Sequence, residues 1–143
     1  MGLDMYLLKK HFINNQSNEE LILNKNGKSF CLPYNKIAYV CEIMMYWRKA
    51  SQIHKWFVDN VQNGVDDCRN YELDGNILLT LLKTCQKVVK YPNLAPELLP
   101  IYEGFFFNTT CNYDDQYFRT LNNTISALKN VSDSDIFEYT SCW

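Results

Sequence analysis

The hydrophobic pattern of this chain changes period along its length, and that change constrains the architecture more than any other feature. Near its start Leu3, Met5 and Leu7 alternate with Asp4, Tyr6 and Leu8, and near its end Phe137, Tyr139 and Trp143 alternate in the same way. A repeat of two places alternate side chains on opposite faces of a strand, so both ends read as strands with one apolar face, and Asp4 lies opposite the apolar face of the first. Between them Ile77, Leu78, Leu81, Leu82, Cys85, Val88 and Val89 form a stripe at helical spacing. Asp74 precedes this stripe as N-cap and Pro92 stops it. A further helix opens at Asp114 and Asp115 and turns Tyr117, Phe118, Leu121, Ile125 and Leu128 inward.

The remaining segments fill in a sheet. Residues 21–32 read as a hairpin turning at Asn26-Gly27, and Pro33 ends it. The apolar run from Ile37 to Tyr46 reads as a buried strand. Trp47 to Val61 reads as a helix stopped by Gly64, and Arg69 to Leu73 as a short strand. Residues 91–113 carry Pro92, Pro96, Pro100 and the Gly104-Phe105-Phe106-Phe107 run, an irregular connection expected to fold over the core. No repeat, linker or charge block divides the 143 residues. The expectation is an α+β fold: one domain over residues 1–143, a mainly antiparallel sheet of four to six short strands, and about three helices packing on it.

Composition narrows function mostly by exclusion. Fourteen Lys and Arg against sixteen Asp and Glu give a formal net charge of −2. That balance disfavours duplex nucleic acid as a partner. No apolar run is long enough for a membrane span, and no export signal is visible, so a cytoplasmic location is expected. Six cysteines at 31, 41, 68, 85, 111 and 142 have no CxxC or CxxH spacing. Free, buried thiols and no metal are therefore expected. The Asn-x-Ser/Thr sequons at Asn15, Asn108, Asn122 and Asn130 carry no weight without secretion. The acidic pairs Asp66-Asp67 and Asp114-Asp115 read as a loop cap and a helix N-terminus, because a calcium loop would need a turn glycine. No phosphate-loop or hydrolase signature occurs, and no cofactor is expected.

The densest chemistry lies at Tyr46-Trp47-Arg48-Lys49-Ala50-Ser51-Gln52-Ile53-His54-Lys55-Trp56-Phe57-Val58. On a helix continuous from Trp47, Trp56 falls among polar residues on the side away from Trp47. It is then either a stacking platform or a core residue covered by the 91–113 segment. Arg48, Lys49 and Lys55 would hold an anionic group beside it, or else form a solvated basic strip. His54 falls on the apolar face, where a neutral imidazole needs a hydrogen-bond partner. The plain alternative is a satisfied core histidine; the sharper one pairs it with Asp4 as an orienting or acid/base couple.

These residues also carry a resemblance. The opening Met1-Gly2-Leu3-Asp4-Met5-Tyr6-Leu7, the central Tyr46-Trp47-Arg48-Lys49-Ala50-x-x-Ile53-His54-x-Trp56-Phe57-Val58, the Leu98-Leu99-Pro100 and Phe105-Phe106-Phe107 runs and the final Trp143 resemble small uncharacterised proteins of bacteriophages and bacterial mobile elements. Asn108 stands where such proteins often have Gly after the Phe triplet. The resemblance implies a compact protein working in the host cytoplasm. By analogy of context it also implies a non-catalytic counter-defence role, either sequestering a small anionic nucleotide-like signal or inhibiting a host effector protein, with self-association into a homo-oligomer compatible with both. The alternatives are a small enzyme using His54 as general acid or base, and a structural virion component.

Overall fold

The computed structural model describes residues 2–14, 16–103 and 112–143. The elements in chain order are β1 (Asp4–Phe12), β2 (Glu20–Lys25), β3 (Lys28–Pro33), β4 (Tyr39–Arg48), α1 (Ser51–Asn60), β5 (Tyr71–Asp74), α2 (Gly75–Lys90), α3 (Ala95–Leu98), α4 (Asp115–Leu128) and β6 (Ile136–Cys142). A four-stranded antiparallel sheet has the order β4-β1-β6-β5, and β2 pairs with β3 separately. The α+β class expected from the change of hydrophobic period is the one observed.

The chain falls into two compact units, residues 1–9 with 43–143 and residues 10–42. In the larger unit Leu3 just before β1, Met5 and Leu7 of β1, and Phe137 and Tyr139 of β6 are fully buried, as the alternation requires. They meet Ile53 and Phe57 of α1, Leu78, Leu81, Cys85 and Val88 of α2, and Leu121 and Leu128 of α4 in one core cluster. Burial of a large aliphatic or aromatic side chain contributes about 1.5–3 kcal/mol, so this cluster is the main stabilising term of the unit. Both predicted N-caps are formed. Asp74 accepts from the Ile77 amide at 3.2 Å and Asp114 from the Tyr117 amide at 3.0 Å, each satisfying a donor that the first helical turn leaves open.

The smaller unit contains the expected hairpin. Lys25 pairs with Lys28 across Asn26 and Gly27, whose φ values of 51° and 74° make the left-handed two-residue turn that suits twisted strands. Its open end is tied by the Tyr34 amide to the Glu19 carbonyl at 3.1 Å. His11 and Glu42 pair at 2.6 Å, and Lys10 lies over the Tyr39 ring. Ile22, Leu23 and Phe30 of the hairpin are exposed.

Several expectations are corrected. The run beginning at Ile37 is an edge strand and not a buried one: β4 starts at Tyr39, and Tyr39, Ile43 and Tyr46 are exposed. It also runs two residues further than expected, through Trp47 and Arg48, and the helix begins only at Ser51. Lys49 makes the corner with φ +57° while its amide donates to the Leu3 carbonyl at 2.8 Å. That bond extends the β1–β4 ladder past the point where a helical reading would have released it. Among the described residues Cys31, Cys41, Cys68, Cys85 and Cys142 are free thiols, but only Cys85 is buried. In the 91–113 connection, Ala95 and Leu99 enter the core from short helical turns, and the Gly104-Phe105-Phe106-Phe107 run with Asn108 lies outside the described residues.

Gly75, the first residue of α2, lies against the backbone of residues 132 and 133. A Cβ there would sit 1.7 Å from the Ser132 carbonyl oxygen, while the Gly75 amide donates to the Asp135 carbonyl at 2.9 Å. Neither contact is with a side chain that can swing away. Gly75→Ala is expected to lower the unfolding free energy by about 1–3 kcal/mol through overpacking, read as a lower urea midpoint at unchanged slope.

Candidate functional site

His54 lies at the middle of α1 because Ile53, His54, Phe57 and Val58 recur at helical spacing and are all buried. Its ring is 0 % exposed. Nδ1 lies 2.8 Å from the Tyr139 hydroxyl, and Nε2 lies 2.9 Å from Oδ1 of Asp66. The neutral tautomer that satisfies both contacts carries its proton on Nε2, donates it to the carboxylate, and accepts the Tyr139 hydroxyl at Nδ1. Asp66 Oδ1 also accepts from the Trp143 indole N–H at 3.2 Å. The Tyr139 ring stacks on Phe57 with centroids 3.8 Å apart and planes 6° apart. A continuous polar chain therefore runs Tyr139, His54, Asp66, Trp143 and binds α1, the 62–70 connection and β6 together.

The electrostatics agree with a structural role. Burial pushes the His54 pKa below its ordinary value, since an imidazolium cannot be solvated there, while the charge and hydrogen bond of Asp66 oppose the shift. Burial likewise pushes the Tyr139 phenol up, so it stays protonated and able to donate. Both ring nitrogens of His54 are engaged and the ring has no exposed surface. An acid/base step on a substrate would first require this chain to open.

The neighbouring connection is held the same way. Asp67 accepts the Tyr71 hydroxyl on both oxygens, at 2.9 and 3.0 Å, and the Arg69 amide at 3.1 Å. This is the loop cap expected of the Asp66-Asp67 pair, although the sequence gives no hint that Asp66 turns inward to His54. Gln62 is buried and spans the bend, its Nε2 donating to the Val65 and Asp67 carbonyls. Among the described residues no group of three or more His, Cys, Asp or Glu could hold a metal ion.

The sequence-predicted residues separate into two places. Asp4 does not meet His54. It projects from the opposite face of β1 to Leu3 and Met5, accepts a short hydrogen bond from the Tyr46 hydroxyl, and lies 4.0 Å from Nε of Arg48. That hydrogen bond holds the Tyr46 phenol above its ordinary pKa. Tyr6 lies beside Tyr46 with ring centroids 5.0 Å apart. Arg48 is 67 % exposed and Lys49 is exposed at the following corner. Asp4, Tyr6, Tyr46, Arg48 and Lys49 thus share one open corner of the β1–β4 pair.

Lys55 and Trp56 are not there. Lys55 pairs with Asp59 at 2.8 Å and lies over the Tyr102 ring at 5.6 Å. Trp56 is 8 % exposed and meets Phe57 edge-on at 5.3 Å. The platform reading of Trp56 is therefore corrected: the side of α1 that carries it is covered, Gln52 one turn before it is buried as well, and the indole is core. Trp47 instead inserts into the core and donates its N–H to Thr124 at 2.8 Å. The aromatic pair that sequence reasoning passed over is Tyr6 with Tyr46, and the signal was present, since each falls out of phase with its strand's buried residues.

No protein-family model matches the chain, and comparisons with curated proteins and with solved structures give no match either.

The His54 chain makes stability depend on pH in a definite direction. Because the folded-state pKa of His54 is depressed, the unfolded chain binds the extra proton first as pH falls. The stabilisation is complete above the ordinary histidine value of about 6.5 and is lost progressively as pH drops from there toward the folded value. Urea denaturation between pH 8 and pH 5 should show this loss, and His54→Asn should flatten it within that window. Tyr139→Phe, which removes the donor to Nδ1 without changing ring packing, should cost about 1–3 kcal/mol.

Proposed function

We propose that this chain is a non-catalytic binding protein of phage type, working in the host cytoplasm against a defence system. The observation that carries this reading is the separation of the two residue sets that its sequence brings together. The histidine that a small enzyme would use is sealed in the core, whereas Arg48 and Lys49 stand exposed beside the Tyr6–Tyr46 pair. An aromatic face for a ring next to a guanidinium and an ammonium suits a small nucleotide-like anion: stacking selects the ring, and Arg48 offers paired N–H donors to a phosphate. Asp4, 4.0 Å from Arg48 Nε, offsets part of that positive charge. No helix among the described residues is long and apolar enough to cross a membrane.

A second reading, inhibition of a host effector protein, is favoured by a different observation. The hairpin of the smaller unit exposes Ile22, Leu23 and Phe30, large apolar groups of the kind that anchor protein interfaces.

Lys49→Gly separates binding from folding. Glycine adopts the positive φ of residue 49 without the penalty of a side chain, so the variant should be as stable as the parent or about 1 kcal/mol more stable. With ADP as probe in a calorimetric titration, the parent should bind, and Lys49→Gly and Arg48→Ala should each weaken binding about tenfold or more, the loss of one charge-assisted contact. Equal binding by the parent and both variants would remove the corner as the site. Absence of ADP binding together with a bare protein in native mass spectrometry of cell-purified material would shift the reading to a protein partner, for which Leu23→Asp and Phe30→Asp are the disrupting variants.

A further inference from the structure

Helix α1 begins without a side-chain cap. Its N-cap residue is Ala50, which has no side-chain acceptor, and no acidic residue lies in its first turn. The start of any helix leaves backbone N–H groups without an intrahelical acceptor. Here the Ala50 carbonyl takes two donors, the Ile53 amide at 3.1 Å and the His54 amide at 3.0 Å. The Ser51 and Gln52 amides come before these, and no described residue accepts from either. Both residues are covered, Ser51 being 2 % exposed and Gln52 5 %. A second observation falls in the same turn: the Ser51 hydroxyl is buried and has no hydrogen-bond partner among the described residues. Covalent geometry holds that oxygen within about 4 Å of its own amide nitrogen, so the hydroxyl and the two amides share one spot at the positive end of the helix dipole. The residues that lead into this turn are Arg48 and Lys49, both exposed.

We propose that the start of α1 is a phosphate seat, in which the Ser51 and Gln52 amides and the Ser51 hydroxyl donate to phosphate oxygens while Arg48 and Lys49 neutralise the charge. The inference deepens the reading of the Arg48–Lys49 corner and rests on it for the ring half of a nucleotide-like ligand. A buried N–H or O–H without a partner costs free energy comparable to a lost hydrogen bond. Three such donors in one turn, with two cations leading into it, ask for an acceptor that has several oxygens and a negative charge, and a tetrahedral phosphate supplies both. A cation is repelled by the same donors and dipole. Because Ala50, Ser51 and Gln52 are all buried, a phosphate enters by parting their cover, and pairing the three donors offsets that opening. The phosphate comes either free or attached to a nucleoside, and the seat recognises the chemistry that the two share.

The test follows the backbone amide signals of the full chain, labelled with nitrogen-15, by NMR. Potassium phosphate is titrated against a potassium chloride series of matched ionic strength, and ADP is titrated separately. Phosphate is expected to shift the Ser51 and Gln52 amide signals to saturation, chloride to leave them in place, and the Ile53 and His54 signals to move less, since those amides already have an acceptor. Ser51→Ala exchanges an unpaired buried hydroxyl for a hydrogen, so it should fold as well as the parent and weaken phosphate and ADP binding about tenfold, the loss of one charge-assisted contact. If that variant fails to fold, the titrations of the parent decide alone. The proposal is overturned if phosphate leaves the two amides unmoved, if chloride moves them equally, or if Ser51→Ala binds phosphate as tightly as the parent. ADP binding that spares the two amides removes the seat and keeps the corner. Phosphate-specific shifts with ADP no tighter than phosphate keep the seat and remove the nucleotide reading.

Discussion

An imidazole placed where no water reaches it sets the terms for the rest of the larger unit. His54 is carried inward by the same helical period that buries Ile53, Phe57 and Val58, and once there each of its nitrogens needs a partner from another part of the chain. Tyr139 is 85 residues away in sequence and Asp66 is 12. Apolar burial fixes which face of β6 turns inward, and these two hydrogen bonds fix in addition which residue of that face meets the imidazole. A slip of β6 by one residue would turn Tyr139 to the outer face and strand Nδ1. The polar chain therefore fixes how α1, the 62–70 connection and β6 fit together, while the Leu- and Phe-rich cluster around it supplies most of the stabilisation.

The two sides of β1 show how one strand divides labour. Leu3 just before it and its own Met5 and Leu7 enter the core, and its even residues Asp4 and Tyr6 face out, where they meet Tyr46 and Arg48 of β4. Because β4 is an edge strand, this outward surface ends in a corner instead of continuing under another strand. The turn at Lys49 completes that corner at the cost of a left-handed backbone on a residue with a side chain. Strain of this kind in a charged residue at an exposed corner is consistent with the proposed binding role, since a glycine would have served the turn alone.

Much of this is legible in the sequence, for physical reasons that differ by element. Asp74 and Asp114 announced their helices because capping is local chemistry, and Asn26-Gly27 announced its hairpin because few residue pairs accept that turn. The first and last strands were legible from strict alternation. The junction at Trp47 was not. Tyr46-Trp47-Arg48 fits a helical stripe with Ile53 and Phe57 as well as it fits the end of a strand, and the ambiguity is settled by one long-range hydrogen bond, Lys49 to Leu3, that no local pattern encodes. Trp56 does share its side of α1 with Gln52, Asp59 and Asn60, and what no local pattern encodes is that Gln52 and Trp56 are covered there. For His54 the need for a partner was evident, but its identity was not, because which carboxylate arrives depends on how a bend ten residues downstream is folded; Asp4 was plausible by charge and excluded by the strand's parity. The corner residues Asp4, Arg48 and Lys49 were named from sequence, and their aromatic neighbours emerged only from the pairing of β1 with β4.

The sheet order carries a consequence for how the protein comes into being. β1 and β6 are adjacent in the middle of the sheet, although one lies near the start of the chain and the other near its end. On a ribosome, β1 emerges early and β4 can pair along one of its edges, but the other edge must wait until β6 has been made. During that interval Leu3, Met5 and Leu7 have only a partial cover, and β1 presents an unsatisfied ladder to any passing strand. Contacts of such wide sequence separation also place the closing step among the slower ones for a domain of this size. Completion is thus a late event that closes the sheet, the polar chain through Tyr139 and the core together, and nascent chains are most vulnerable to self-pairing just before it.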